Sequence, residues 1–147
     1  MDYEILGVAP SYLPGVSRVL MELCAIGVSD FTFLENLSIE EANKYKVCIF
    51  GGWVPGYSVI LPQISSRVWV LWTSPLLQME LTGGVEWGFL QQILSSEKVE
   101  RVWFGDKGLE EIFLDKGFHM PYPVNVEPFV TYPRTLYEAK DGIGLLT

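Results

Sequence analysis

The sequence predicts an α/β domain of Rossmann-like, three-layer α/β/α type, with a mainly parallel sheet of five to six strands. Three observations carry this expectation. Short apolar runs alternate with amphipathic stretches along most of the chain. The runs are apolar throughout rather than alternating, as expected of strands covered on both faces. Glycine and small polar residues collect where the runs end.

Tyr3 to Val8 (YEILGV) is the first expected strand, and Pro10, Pro14 and Gly15 break it. Val16, Val19, Leu20 and Leu23 then fall on one helical face, and Gly27 stops that helix. Asp30 to Leu34 is the second strand. Ser38 and Glu41 fit a capping box that opens a short polar helix running to about Tyr45. Val47 to Phe50 (VCIF) is a buried strand ended by Gly51 and Gly52. Residues 53–66 are punctuated by Pro55, Gly56 and Pro62, and Val59-Ile60-Leu61 reads equally as a helix turn or a strand. Arg67 to Trp72 (RVWVLW) is the clearest later strand. After Gly83-Gly84 comes a second amphipathic helix with Val85, Phe89, Ile93 and Leu94 on one side. Arg101 to Phe104 is the next strand, and Asp106 is placed to cap the helix after it. That helix carries Leu109, Ile112 and Phe113 inward and ends at Gly117. Met120 to Val124 is a last short apolar segment. Residues 1–124 therefore form the domain, and residues 125–147 read as a linker or tail. Gly142 to Thr147 resembles the start of another strand, so either the tail folds back or a second domain begins there.

Composition sets further bounds. A chain of 147 residues is one domain with enough length to bury a core. With 49% hydrophobic and 19% charged residues it is not a disordered chain. A net charge of -8 with scattered basic residues argues against nucleic acid as a partner. Cys24 and Cys48 both sit in apolar patterns and are expected to be small buried residues. His119 is the only histidine, which excludes a multi-histidine metal site, and neither a metal nor a cofactor is expected. The chain opens Met1-Asp2-Tyr3-Glu4, without the basic start of a signal peptide. No apolar run reaches the ~20 residues that span a bilayer. The expectation is a soluble, cytoplasmic protein. Five Trp and eight Phe remain compatible with a peripheral membrane contact or a partner-facing patch.

In parallel sheets, ligands bind beyond the carboxyl ends of the strands. The candidate binding residues are therefore Pro14, Gly15, Gly51, Gly52, Trp53, Trp72, Thr73, Ser74 and Asp106. Each has a structural alternative. Gly51-Gly52 reads equally as a tight turn, the two tryptophans as core, and Thr73, Ser74 and Asp106 as helix caps. His119 has the chemistry for proton transfer near neutral pH, and Glu80 and Glu86 are candidate general bases if burial tunes them. A GxGxxG fingerprint, a Walker GxxxxGK[ST] and a GxSxG elbow are all absent.

Two segments carry a family resemblance. Tyr12-Leu13-Pro14-Gly15-Val16-Ser17-Arg18-Val19 resembles the loop after the first strand of GT-B glycosyltransferases, where a Pro-Gly-Gly run opens the first helix. Gly15 matches, and Val16 replaces the second glycine. Arg101 to Val126 is similar to the end of the same N-terminal domain. Pro121-Tyr122-Pro123-Val124-Asn125 stands where that family has a hinge. The resemblance implies two Rossmann-like domains facing a cleft. It makes this chain the acceptor-side half, with a nucleotide-sugar and an acceptor as substrates and a second glycosyltransferase domain as partner. It implies attack of an acceptor hydroxyl on the anomeric carbon, with Gly15 and the following N–H groups near the phosphates. His119, Glu80 and Glu86 are then the candidate bases, in falling order of reach. Two other readings stand beside it: a non-enzymatic Rossmann-like binding module, and a flavodoxin-like or receiver-like domain. The receiver variant lacks an acidic cluster after the first strand, where Ala9-Pro10-Ser11 stands.

Overall fold

A computed structural model describes residues 4–82 and 84–123. Six strands form one sheet: β1 (Ile5–Ala9), β2 (Asp30–Phe33), β3 (Val47–Gly51), β4 (Arg67–Trp72), β5 (Val99–Phe104) and β6 (Gly117–His119). Every pairing is parallel, in the order β2-β1-β3-β4-β5-β6. The helices are α1 (Pro14–Ala25), α2 (Ile39–Ala42), α3 (Tyr57–Ile60), α4 (Leu76–Thr82), α5 (Gly84–Ser95) and α6 (Glu110–Phe113).

The core divides into two layers. Val16, Leu20 and Leu23 of α1 pack with Ala9, Ile49, Leu71 and Trp103 on one face of the sheet. On the other face, Ala42, Tyr57, Met79, Leu90, Ile93 and Phe113 pack with Val8, Phe50, Val70 and Phe104. Right-handed crossovers require this split. The step from β1 to β2 runs one way across the sheet and every later step runs the other way. The direction of the strand order therefore reverses between β1 and β3. The same reversal belongs to the flavodoxin-like order 2-1-3-4-5 and to the order 3-2-1-4-5-6 stripped of its outermost strand.

Local chemistry explains the boundaries. Pro14 sits in the first turn of α1, where its missing N–H has no partner to lose. Gly27 takes φ +82°, and Val28 N–H and Gly27 N–H reach back to the carbonyls of Leu23 and Cys24. This is the left-handed C-terminal cap that glycine favours. Ser38 Oγ accepts from Glu41 N–H at 3.3 Å, opening α2.

Several expectations are corrected. Cys48 is buried, but Cys24 is exposed on the outer side of α1. Val85 is exposed, whereas Ile93 is buried as expected, Phe89 and Leu94 pack against the core, and Leu90 is buried beside them. Residues 57–63 are helical, with a 3-10 turn at Leu61–Gln63. α4 occupies a stretch where no element is expected from the sequence. Among the described residues the last strand is β6, ending at His119, just before the short apolar segment that begins at Met120. Gly117 both follows α6 and opens β6, because a Cβ there would stand 2.5 Å from Phe113 Cβ and 2.8 Å from Phe104 Cε1. The tail 125–147 and its possible second-domain strand lie outside the described residues.

Candidate binding site at the sheet rim

The ends of β1, β3 and β4 enclose an open cavity of about 290 Å³. This lies at the small end of ligand pockets, which run about 300–1,000 Å³. It sits at the reversal of strand order, where doubly wound sheets bind ligands. The first turn of α1 forms one wall through Leu13, Pro14, Gly15 and Val16. Gly52 and Trp53 after β3 form another. Trp72, Thr73 and Ser74 come from the end of β4, and Gln78, Glu86 and Phe89 from α4 and α5.

The β1–α1 loop is held in place from outside. Ser11 N–H donates to Glu35 Oε1 at 3.0 Å, and the Ser11 side chain together with this N–H holds the Glu35 carboxyl below its ordinary pKa. No side chain caps α1 at Leu13. A helix start left without a side-chain cap presents N–H groups and the positive end of the helix dipole, and here that end borders the cavity.

The two glycines after β3 have different reasons. A Cβ on Gly51 would stand 3.0 Å from Ala9 Cβ and from Val16 Cβ, so Gly51 lets α1 lie close to the sheet. Gly52 takes φ +66° and turns the chain into the cavity wall.

Trp53 and Trp72 are both core and wall. Each is nearly buried yet lines the cavity. Trp53 Nε1–H donates to Gln92 Oε1 at 2.8 Å. Trp72 Nε1 is buried without a hydrogen-bond partner among the described residues.

Of the three candidate bases, the structure brings only Glu86 to the cavity. Ser74 Oγ–H donates to Glu86 Oε1, so Ser74 orients that carboxylate. Among the described residues, Glu86 is the only ionisable side chain lining the cavity. Glu80 is exposed on α4 and His119 is exposed at the end of β6; neither lines it. His119 Nε2 lies 3.1 Å from Gly105 O, a bond that needs the proton on Nε2.

Asp106 is likewise not in the cavity. Its Oδ1 accepts from Gly108 N–H at 3.1 Å, and its Oδ2 from Leu76 N–H at 2.7 Å. It caps its own turn and also holds the start of α4.

The sequence reading did not single out Tyr122. Its hydroxyl donates to Trp72 O at 2.7 Å and accepts from Gly105 N–H at 2.6 Å, tying the ends of β4 and β5 together. Burial pushes its pKa up to about 12. Nor did it single out Leu13, Val16, Gln78 and Phe89 as cavity lining. The apolar ones carry the pattern of core residues, and Gln78 lies in the helix that the sequence did not announce.

A second cavity of about 360 Å³ lies along β2, lined by Cys24, Asp30, Thr32, Ser38, Glu41 and Tyr45 among others. Tyr45 Oη–H donates to Asp30 Oδ2 at 2.6 Å there. None of the candidate residues lies in it. Among the described residues, no group of three or more His, Cys, Asp or Glu side chains is placed to hold a metal ion. No described helix is long and apolar enough to cross a membrane.

Fold and site together define a doubly wound α/β protein with an open cavity at the reversal of its strand order. Comparison with known protein families, with curated proteins and with solved structures finds no match in any of the three.

Proposed function

We propose that the chain is the N-terminal, acceptor-side domain of a GT-B glycosyltransferase. It takes part in transferring a sugar from a nucleotide-sugar donor to an acceptor hydroxyl. The observation that carries this reading is the cavity itself, which joins a helix start without a side-chain cap at Gly15 to the oriented carboxylate of Glu86. The resemblance of the segments around Gly15 and Tyr122 adds to it.

In this mechanism the acceptor hydroxyl hydrogen-bonds to Glu86, which Ser74 orients. Glu86 takes the proton as the acceptor oxygen attacks the anomeric carbon. The bond from that carbon to the nucleotide diphosphate breaks, and the diphosphate leaves with the electron pair. The N–H groups at the start of α1 stabilise the negative charge on the leaving phosphates. Trp53, Trp72 and Phe89 supply apolar surface for the face of a sugar ring. A second domain supplies most of the donor contacts. Two free cysteines fit the reducing cytoplasm as its compartment.

The test is titration with nucleotide-sugars, read by Trp53 and Trp72 fluorescence, followed by mixing with a candidate second domain and an acceptor. Binding together with turnover is expected. No binding and no turnover in either case overturns the transferase reading. A second reading, a binding module without catalysis, draws on the single ionisable side chain that the described residues bring to the cavity. Ligand binding with no turnover alongside any second domain would favour it.

A further inference from the structure

We infer that the acceptor is an uncharged amphiphile, with its hydroxyl end in the rim cavity and its apolar tail along Leu77, Leu81 and Val85. This rests on the acceptor-side reading above.

Leu77, Leu81 and Val85 are 66%, 78% and 64% exposed. Single exposed apolar residues are ordinary. These three are not scattered. Leu77 and Leu81 are four residues apart on α4, so their side chains are neighbours on one helix face. Val85 lies in the first turn of α5, which packs against α4. The inner side of α4 is already used, since Met79 is fully buried and Leu76 packs on the core. The stripe therefore faces away from the core. It also adjoins the cavity, because Gln78 of α4 and Glu86 and Phe89 of α5 line it. Phe89 inside the cavity and the apolar stripe outside it are carried by these two helices.

Charge selects the occupant. From Leu76 to Ser95 the sequence has no Lys or Arg, and its only ionisable residues are Glu80 and Glu86. An anionic headgroup finds no Lys or Arg on either helix and meets two carboxylates. A hydroxyl donor finds an acceptor in Glu86, and an alkyl tail attached to it finds the leucines. Each methylene removed fully from water strengthens binding roughly fourfold.

The probe is a series of alkyl β-glucosides (methyl, butyl, hexyl, octyl), each below its micelle concentration, titrated into the full chain. Affinity is expected to rise with tail length, at least tenfold from butyl to octyl. Leu77→Gln/Leu81→Gln, at exposed sites, is expected to flatten that rise. Met21→Gln, an exposed change on α1, is expected to keep it. Equal affinity for butyl and octyl glucoside overturns the inference and leaves the acceptor-side reading standing. A rise that survives Leu77→Gln/Leu81→Gln also overturns it. Absence of binding at every length overturns both. Two further results place a different occupant on the stripe and overturn the inference. One is flotation of the chain with phosphatidylcholine vesicles that Leu77→Gln/Leu81→Gln abolishes, without tail-length dependence. The other is a dimer lost in the same variant.

Discussion

The two ends of the sheet rim make an instructive contrast. At the β1–β3–β4 end, polar groups face an open cavity: the start of α1, Thr73, Ser74 and Glu86. At the β5–β6 end, polar groups of the same types are consumed inside the fold. Asp106 caps two turns, Tyr122 ties β4 to β5, and His119 rests against Gly105 O. Both ends are strand termini rich in glycine and polar residues. The difference is where the polar groups face. At the β5–β6 end they bond across neighbouring strands and loops and hold structure, whereas Ser74 and Glu86 bond to each other and still line the cavity, within reach of a ligand.

Substitutions can break or sharpen this contrast. The largest effect is expected at the open end. Glu86→Gln keeps an oxygen that accepts from Ser74 but cannot take a proton. Transfer by the two-domain enzyme should fall about 10²–10⁴-fold, while thermal unfolding shifts little. An equal loss of both would place Glu86 among the structural residues and dissolve the contrast.

Gly51→Ala is expected to act on both stability and site. The added methyl meets Ala9 and Val16 at 3.0 Å and pushes α1 from the sheet. Overpacking of this kind costs about 1–3 kcal/mol, measurable by urea denaturation. Ligand affinity in the cavity should weaken with it, since α1 forms one wall.

Tyr122→Phe should lower stability by about 1–3 kcal/mol, through a backbone carbonyl and an N–H left without their partner, with little change in cavity binding. Its pH dependence is a sharper test. The folded pKa is raised to about 12 from 10.0, so the neutral phenol is favoured by folding. Its contribution is complete below pH 10 and is lost as pH rises through 12. Wild type and Tyr122→Phe should therefore converge in stability across that window. Tyr45 and Tyr57, also raised by burial, titrate in both proteins and cancel in the difference.

The smallest effect is expected for His119→Gln. An exposed side chain away from the cavity should change stability by no more than about 0.5 kcal/mol and transfer hardly at all. A large fall in transfer would restore His119 as a base brought into reach by the second domain.

Much of the fold is legible in the chain. α1 is announced by the spacing of Val16, Val19, Leu20 and Leu23 and by Gly27 at its end. β1, β3, β4 and β5 are announced by unbroken apolar runs, which only a sheet covered on both faces accommodates. α4 is not, because Leu76, Leu77, Met79 and Leu81 spread apolar residues around the whole helix and erase the period. β6 is hidden for a different reason. It has a single large apolar residue, Phe118, and opens on a glycine that reads as a helix stop. Val85 fits the apolar spacing of α5 yet is exposed, while Phe89, Ile93 and Leu94 of the same expected face pack on the core.

The site is legible in part. Seven of the nine candidate binding residues line the cavity, namely Pro14, Gly15, Gly52, Trp53, Trp72, Thr73 and Ser74, and of the candidate bases Glu86 joins them. Gly51 stands beneath it as packing. Asp106, His119 and Glu80 stand outside it, because reach across a rim depends on strand order, and spacing along the chain does not contain strand order.

By itself, the sequence determined the alternation of strands and helices, the covered sheet and the set of residues at its carboxyl rim. These follow from local periodicity, glycine and proline chemistry, and burial. Only the tertiary structure decided which rim residues meet. The order β2-β1-β3-β4-β5-β6 places β1 beside β3 and so opens a cavity there. Tyr122 and Asp106 close the β5–β6 end with hydrogen bonds between residues up to 50 positions apart in the chain. Such bonds depend on which strands are neighbours, and that is settled only when the whole sheet assembles.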